Sequence, residues 1–194
     1  MEKTFRLRDG TELIIRRMRD LDIKKSYNFF KTLSPEDRIY LRTDVTKLGV
    51  IEARYKAQED GLVKRLIAVA QNKIIADGSL ELPSRDWKKH QGEIRLIIAT
   101  EYQRRGLGLL MAKELWHLAF KEKLQDIVVK IMRPQKGALK IFKKLGFEKE
   151  TVFEDYVTDG KGKKQDLIVM RCDIKKMWKI MEEDFITSDW QINR

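Results

Sequence analysis

The 194-residue sequence contains one cysteine, three prolines and two histidines. A single cysteine cannot form an internal disulfide, so a packed core has to hold the fold. Cys172 ends an apolar, strand-like run, which predicts a buried packing residue rather than a nucleophile. His90 lies in a polar stretch and His117 follows Trp116 in a helical pattern, and neither has the spacing of a metal site. We expect no metal centre.

Long apolar runs are also missing. No run approaches the roughly 18 residues of a membrane-spanning helix, and no signal peptide is recognisable. These absences favour a reduced, cytoplasmic setting. The length predicts one domain, which we expect to span residues 1–173, followed by a C-terminal helical extension over 174–194. The apolar stripe of Met177, Trp178, Ile180 and Met181 in that extension suits contact with a second subunit, so a homodimer is one hypothesis.

The charge is strongly one-sided, with a formal net charge of +11 at pH 7. Such a surplus attracts polyanions: nucleic acid, an anionic membrane or a phosphorylated ligand. The basic residues are scattered as short pairs, without the aromatic interleaving or named motif of a nucleic-acid module. The pattern therefore disfavours specific nucleic-acid binding.

Hydrophobic periodicity predicts helices that alternate with strands. Serine as a cap, proline at the first helical position and two acids predict a helix that begins after Ser34 and runs to about Thr46. The other predicted helices cover 21–33, 50–59, 107–123 and 136–145, and the predicted strands cover 11–18, 66–70, 74–82, 92–99, 126–132, 147–157 and 167–172. Hairpins near both ends indicate an α/β or α+β domain with a mixed sheet.

The most informative segment is Gln103 to Gly108, which joins a predicted strand to a predicted helix. Glycines let a backbone turn tightly and approach a ligand, while the free amides and the dipole of a helix N-terminus attract phosphate oxygens. The segment lacks the Gly-Lys-Ser/Thr of a Walker loop and the third glycine of a Rossmann turn. It predicts a phosphate-binding turn of another kind.

Two stretches, GEIRLIIATEYQRRGLGLLMAKELW and KGALKIFKKLGFEKE, together resemble the GNAT superfamily of acyl-CoA-dependent N-acetyltransferases, whose signature is Gln/Arg-x-x-Gly-x-Gly/Ala. The segments LRDGTELIIRRMRDLD and FFKTLSPEDR are similar to the branch that includes the catalytic domain of bacterial protein lysine acetyltransferases. The resemblance covers roughly residues 5–173 and implies a mixed, mainly antiparallel sheet flanked by helices. It also implies acetyl-CoA as the acyl donor and an amine as the acceptor, for which a protein lysine is the leading hypothesis.

The resemblance implies a donor site at the turn and on the strand before it. Backbone amides of the turn would bind the pyrophosphate of coenzyme A, and the strand would run beside the pantetheine arm, with an amide near Ile98 acting on the thioester oxygen. The residues implied are Ile97, Ile98, Ala99, Gln103, Arg104, Arg105, Gly106, Leu107, Gly108 and Leu109. Arg104 and Arg105 could instead be ordinary solvated surface.

The chain departs from the family pattern at two donor-site positions. Gln135 and Phe142 stand where the pattern N-x-x-A-x-x-x-Tyr-x-K-x-G-F has asparagine and tyrosine. Phe142 can pack beside the thioester sulfur but cannot donate a proton. The thiolate would therefore leave unaided, or another acid would protonate it.

Acyl transfer to an amine needs a group that removes a proton, because an ammonium has no lone pair. Glu93 is the best candidate for the general base, since it begins the strand that would contact pantetheine and alternation places Arg95, Ile97 and Ala99 on its face. The alternative is a structural ion pair with Arg95 or a neighbour. Further candidates are Glu81, Asp77 and Tyr156.

Three functions follow from these patterns. The leading hypothesis is an acetyltransferase that acts on a protein lysine by direct attack within a ternary complex, with a small-molecule amine as the alternative acceptor. A second hypothesis is an acyl-CoA sensor without turnover, to which Phe142 lends some support. A third is a nucleic-acid binder, whose affinity would fall steeply with salt and ignore acetyl-CoA.

Overall fold

The computed structural model describes residues 2–83 and 87–178 of the chain. The strands are β1 (Glu2–Arg6), β2 (Glu12–Arg17), β3 (Val63–Ala70), β4 (Lys73–Glu81), β5 (Gln91–Ile98), β6 (Asp126–Met132), β7 (Glu148–Thr158) and β8 (Lys164–Asp173). The helices are α1 (Ile23–Thr32), α2 (Pro35–Arg38), α3 (Leu48–Glu59), α4 (Leu107–Lys121) and α5 (Lys136–Lys144), and residues 174–178 are also helical. None of the described helices is both long enough and apolar enough to cross a membrane.

All eight strands form one sheet in the order β1-β2-β3-β4-β5-β6-β8-β7. Neighbouring strands run antiparallel except β5 and β6, which are parallel. The chain reaches that parallel neighbour through α4, as a parallel connection requires. This architecture confirms the predicted α/β domain with a mixed, mainly antiparallel sheet.

Two hydrophobic clusters cover the two faces of the sheet. The larger cluster includes Met111, Leu115 and Trp116 of α4, none of which is exposed, together with Leu80 and Ile94 of the sheet. The smaller cluster packs α1 and α3 against the opposite face, where Ile97 and Ala99 lie. Because side chains alternate along a strand, Glu93 and Arg95 share the face of Ile97, as the sequence predicted.

One predicted helix is much shorter than expected. The helix that begins after Ser34 ends at Arg38 instead of continuing to about Thr46. The carboxylate of Asp44 accepts hydrogen bonds from the backbone amide and the hydroxyl of Thr46, an arrangement that competes with helical hydrogen bonding. Val45 turns into the smaller cluster and is 2% exposed, so burial also stabilises the irregular path.

The beginning of the C-terminal segment packs on the main core. Ile174 and Met177 are buried in the larger cluster, and the Trp178 ring stacks on Phe120 at 5.0 Å between centroids. Met177 is 1% exposed and so is not available for the subunit contact that its stripe suggested, because its apolar surface already faces the domain. Ile180 and Met181 lie outside the described residues.

Candidate donor and acceptor site

A wedge opens between β5 and β6. β6 pairs with β5 only at Gln91, Gly92 and Glu93, and the whole length of β6 pairs with β8 on its other side. Beyond Glu93 the edge of β5 that faces β6 therefore has no strand partner in the register. An extended ligand could lie along that edge and use its main-chain groups.

The amide of Ile98 points into this wedge. The amide of Ala99 donates to the carbonyl of Ile75 at 2.9 Å, so it faces β4. Successive peptide groups of a strand point to opposite edges, and the Ile98 amide and carbonyl consequently face the side of β6. The carbonyl of Ile98 accepts a hydrogen bond from Gln103 Nε2 at 3.1 Å.

The glycine turn leads from this strand into α4. Residues Thr100–Tyr102 form a single 3-10 turn, Arg104 has a φ of 60°, and Gly106 caps the helix with a φ of 93°. The amide of Leu110 is the first to bond within the helix, to the carbonyl of Gly106 at 3.1 Å. The amides of 107–109 precede it and have no intrahelical acceptor, which is the arrangement that binds anions at a helix N-terminus.

The two glycines of the turn meet different requirements. Gly106 has open space around its missing side chain but adopts a left-handed φ that L-residues rarely take. At Gly108 an added Cβ would lie 2.7 Å from Cδ1 of Ile141 and 3.8 Å from Cγ1 of Ile98. Gly106 therefore sets the turn, and Gly108 lets α4 pack closely on α5 beside the wedge.

The two arginines of the turn differ in their surroundings. Arg105 Nη1 contacts Asp9 Oδ2 at 2.5 Å, and its guanidinium lies 5.4 Å from the centre of the Tyr102 ring. Asp9 belongs to the turn between β1 and β2, so this pair ties two loops together. Arg104 is exposed on the same turn.

Glu93 lies at the point where the wedge begins, and three cations surround its carboxylate. Arg42 Nη2 is 2.6 Å from Oε1, Lys130 Nζ is 2.7 Å from Oε2, and Arg95 Nε is 3.4 Å from Oε1. Partial burial raises the pKa of Glu93, but the hydrogen bond from Lys130 and the charges of Arg42, Lys130 and Arg95 outweigh it and lower the pKa below its usual value. The carboxylate is therefore ionised throughout the neutral range.

The other carboxylates considered from the sequence are held in ion pairs. Asp77 is 3% exposed and contacts Arg65 at 2.6 Å and Arg54 at 2.8 Å. Glu81 lies opposite Glu93 in the register and contacts Arg95 at 2.7 Å. These pairs explain why two acidic side chains can occupy strand positions near the core.

The remaining predicted site residues occupy three separate environments. Tyr156 is 64% exposed on β7, with its ring 4.9 Å from that of Phe153. Gln135 precedes α5, and its side-chain oxygen accepts the amide of Met132 at 3.0 Å. Phe142 is 5% exposed and packs edge-on against Phe147 at 5.1 Å, so its ring belongs to the core between α5 and the sheet.

Sequence reasoning missed two of the three cations that surround Glu93 and one carboxylate near the turn. Arg42 follows α2, Lys130 lies on β6, and Asp37 of α2 accepts hydrogen bonds from Thr100 and Gln103. The sequence does single out Asp37, but only as one of the acids that favour the first turn of a helix. Arg42 and Lys130 had none, because only the sheet order brings residues so distant in sequence together.

The cysteine and the histidines take no part in this arrangement. Cys172 is buried, and burial raises the pKa of its thiol to about 12, which keeps it protonated and unreactive. Nδ1 of His117 donates a hydrogen bond to the carbonyl of Lys113 at 2.9 Å, one turn earlier in α4. Among residues 2–83 and 87–178, no group of histidine, cysteine and acidic side chains could hold a metal ion.

Residues 12–148, more than two thirds of the chain, match the model of the acetyltransferase (GNAT) domain. A GNAT-family acetyltransferase from Streptococcus pneumoniae is similar at 22% identity and a TM-score of 0.73, over 83% of this chain and 99% of that one.

Two further structures share the fold at lower identity. The ribosomal-protein-S5-alanine acetyltransferase from Vibrio fischeri is 18% identical, with a TM-score of 0.75, over 90% of this chain and 98% of that one. The protein yncA from Salmonella typhimurium, whose structure contains its cofactor acetyl-CoA, is 16% identical, with a TM-score of 0.67, over 84% and 94% of the two chains. The family match, the mixed sheet with its wedge and the glycine turn at α4 together establish that this chain belongs to the GNAT family of acetyl-CoA-dependent N-acetyltransferases.

Proposed function

We propose that this enzyme acetylates the amine of a protein, a lysine side chain, by direct attack on acetyl-CoA within a ternary complex. The observation that carries the proposal is the position of Glu93 where the wedge between β5 and β6 begins. Arg42, Arg95 and Lys130 around it have side chains that are each 38% or 39% exposed, and that of Glu93 is 16% exposed, so this group of charges lies at the protein surface. A site at the surface suits an amine carried on a macromolecule.

The donor would lie in the wedge and at the N-terminus of α4. In this proposal the amides of 107–109 bind the pyrophosphate, and Arg104 and Arg105 supply positive charge beside it. The pantetheine arm lies along Ile97, Ile98 and Ala99, and Gln135 and Phe142 on the far side of the wedge flank the acyl end. The amide of Ile98 supports this placement because it faces the wedge and can stabilise a developing oxyanion.

The proposed reaction forms one bond and breaks another. The neutral amine attacks the thioester carbonyl, a carbon–nitrogen bond forms, and the carbon–sulfur bond then breaks to release the thiolate of coenzyme A. The amine loses one proton in this process. Glu93 is already in contact with three cations, so we propose that a water molecule held by its carboxylate takes that proton and releases it to bulk solvent.

The thiolate of coenzyme A would leave without receiving a proton from residue 142. Phe142 has no proton to donate, and its ring packs on Phe147. An alkyl thiol has a pKa of about 8.5, so its thiolate is a tolerable leaving group near neutral pH and takes its proton from solvent. The ring of Phe142 is 5% exposed, so its part in this proposal is limited to an apolar wall behind the thioester.

The pH dependence of the reaction rate distinguishes the ionisation of Glu93 from that of the acceptor amine. Because the pKa of Glu93 lies below its usual value, its ionisation should not change between pH 6 and 9. We expect kcat/KM to rise over this range as the acceptor ammonium, with a lysine pKa of about 10.4, loses its proton. A pH profile of initial rates would measure this. An acid limb near pH 6 to 7 that disappears in Glu93→Gln would contradict the assignment.

The acceptor can be identified directly. The purified protein is incubated with labelled acetyl-CoA and a cell lysate, beside Glu93→Gln, and the label is located by mass spectrometry. Label on lysine side chains that depends on Glu93 is the expected result. Label only in the small-molecule fraction would move the acceptor to a free amine, and binding of acetyl-CoA without any transfer would support a sensor.

Gly106→Ala should weaken coenzyme A binding about tenfold or more. Alanine is strained at a φ of 93°, by roughly 1 to 2 kcal/mol, so the turn would relax and redirect the first amides of α4. Isothermal titration calorimetry with coenzyme A measures the loss. Gly137→Ala is the matched control, because Gly137 is helical and its missing side chain also faces open space. Equal affinities for the two variants would contradict the proposed role of the turn.

A further inference from the structure

The start of the short helix α2 is stabilised by its N-cap and its first turn. Ser34 Oγ accepts the amide of Asp37 at 3.1 Å, and Pro35 takes the first helical position. The cap leaves the carboxylate of Asp37 directed away from the helix and toward the glycine turn. In the sequence this residue is an ordinary acid of a helix start, and the fold gives it a second set of contacts.

Those contacts reach the residues that lead into the glycine turn. Asp37 Oδ2 accepts the hydroxyl of Thr100 at 2.6 Å, and both carboxylate oxygens lie 3.3 Å from Gln103 Nε2. The same Gln103 nitrogen donates to the carbonyl of Ile98 at 3.1 Å. One carboxylate therefore connects α2 to the end of β5 and to the first residue of the turn.

Apart from the contacts of Arg105 with Asp9 and Tyr102, the turn has little to hold it. Gln103, Arg104, Arg105 and Gly106 are all exposed, so burial does not fix their backbone. Arg104 has a left-handed φ of 60°, which costs energy for a residue with a side chain. The direction of the amides at the start of α4 depends on this backbone, and contacts at its ends are what can hold it.

The segment that follows α2 has two more long-range contacts. The carbonyl of Ile39 accepts the amide of Gly160, in the turn between β7 and β8, at 2.9 Å. Arg42 contacts Glu93 at 2.6 Å. Residues 35–42 thus touch the glycine turn, the β7–β8 turn and the carboxylate at the start of the wedge, so α2 is anchored from both sides of the wedge.

We propose that Asp37 is a positioning residue of the donor site, which holds Thr100 and Gln103 so that the amides of α4 keep the direction that binds the pyrophosphate. The inference rests on the proposed function, because it assumes that coenzyme A binds at this turn. It adds α2, an element from the other end of the sequence, to the determinants of donor affinity.

The test measures the affinity for coenzyme A by calorimetry for Asp37→Ala and Glu36→Ala. Glu36 is the matched control, because it is an exposed acid on the same helical turn and its removal changes the net charge equally. We expect the dissociation constant to rise about tenfold for Asp37→Ala and less than twofold for Glu36→Ala, since hydrogen bonds to a charged group exceed neutral ones in strength. Equal dissociation constants for the two variants would overturn the inference.

Steady-state kinetics distinguish positioning from a general loss of structure. We expect the KM for acetyl-CoA to rise with the dissociation constant in Asp37→Ala, while kcat falls less than threefold. Asp37→Asn should restore part of the affinity, because an amide oxygen can still accept the Thr100 hydroxyl. A fall in melting temperature with an unchanged KM would assign Asp37 a purely structural part and reject the proposal.

A double-mutant cycle tests whether Asp37 acts on the turn through Gln103. The cycle can still be measured if Asp37→Ala does not fold. Gln103→Ala and Thr100→Val remove the partners from the other side, and each should weaken coenzyme A binding by itself. The effects of Asp37→Asn and Gln103→Ala should be less than additive if they break one connection, and additive effects would refute it. If the unaltered protein bound no coenzyme A, the donor site itself would be wrong, which is a different result from equal affinities among the variants.

Discussion

Glu93→Gln is expected to lower kcat/KM at least about a hundredfold while coenzyme A affinity stays within twofold. A positioned proton acceptor contributes about 10² to 10⁴ in rate, and glutamine retains the shape of the side chain without its charge. The change leaves Arg42, Lys130 and Arg95 without a counter-charge beside the acceptor amine, which further disfavours the positive charge that develops on nitrogen. Initial rates with saturating acetyl-CoA, measured beside calorimetry with coenzyme A, give both numbers.

Glu81→Gln is the control for that experiment. Glu81 lies directly opposite Glu93 in the β4–β5 register and also pairs with Arg95, so the variant changes the same ion network without changing the proposed base. We expect a less than fivefold effect on kcat/KM. Equal losses for the two variants would indicate that the charge network as a whole, and not the Glu93 carboxylate, supports the reaction.

Asp77→Ala is expected to lower the free energy of unfolding by about 3 kcal/mol. Asp77 is the carboxylate that both Arg65, 4% exposed, and Arg54 contact beneath α3. Its removal leaves two guanidinium groups without their counter-ion, and breaking a buried pair in this way costs about 3 to 5 kcal/mol. The side chain of Arg54 is 24% exposed and can gain some hydration, which places the expected loss at the lower end. Urea unfolding followed by circular dichroism measures the change.

The comparison for Asp77 is Glu81→Ala, four residues further along β4 on the same face. Its ion pair with Arg95 is more than 30% exposed on both sides, and pairs of that kind contribute about 0 to 1 kcal/mol. A loss below 1 kcal/mol for Asp77→Ala would mean that the two arginines find other partners. A second variant that replaces both Asp77 and Arg65 with apolar residues should recover part of the stability, because it removes charges from both sides of the pair.

Much of the local geometry at the candidate donor site could be predicted from nearby sequence. The alternation from Glu93 to Ala99 gave the face of each β5 side chain, and the order strand, glycine turn, helix gave the start of α4 within a residue. Local rules suffice here because side-chain alternation and helix capping depend only on near neighbours. The same rules overestimated α2, because after Arg38 the carbonyl of Ile39 accepts the amide of Gly160 and Val45 is buried in the smaller cluster.

The surroundings of Glu93 could not be predicted in the same way. Arg42 and Lys130 are 51 and 37 positions from Glu93 along the chain, and they meet it only because β6 lies beside β5 and the segment after α2 crosses the same face. Their charges lower the pKa of Glu93, although burial alone would raise it. The sequence suggested an ion pair with Arg95, which turns out to be the longest of the three contacts.

The sequence by itself determined which segments form helices and strands, the position of the glycine turn and the carboxylate near the start of β5. Each of these features is set by the spacing and chemistry of residues that are close together in the chain. Only the tertiary structure decided which charges surround that carboxylate, that the β5 edge is open beyond it, and that Asp37 of α2 reaches the glycine turn. These features depend on strand order and on contacts between residues far apart in the chain. No local pattern encodes them, since the same strands in another order would bring different side chains together.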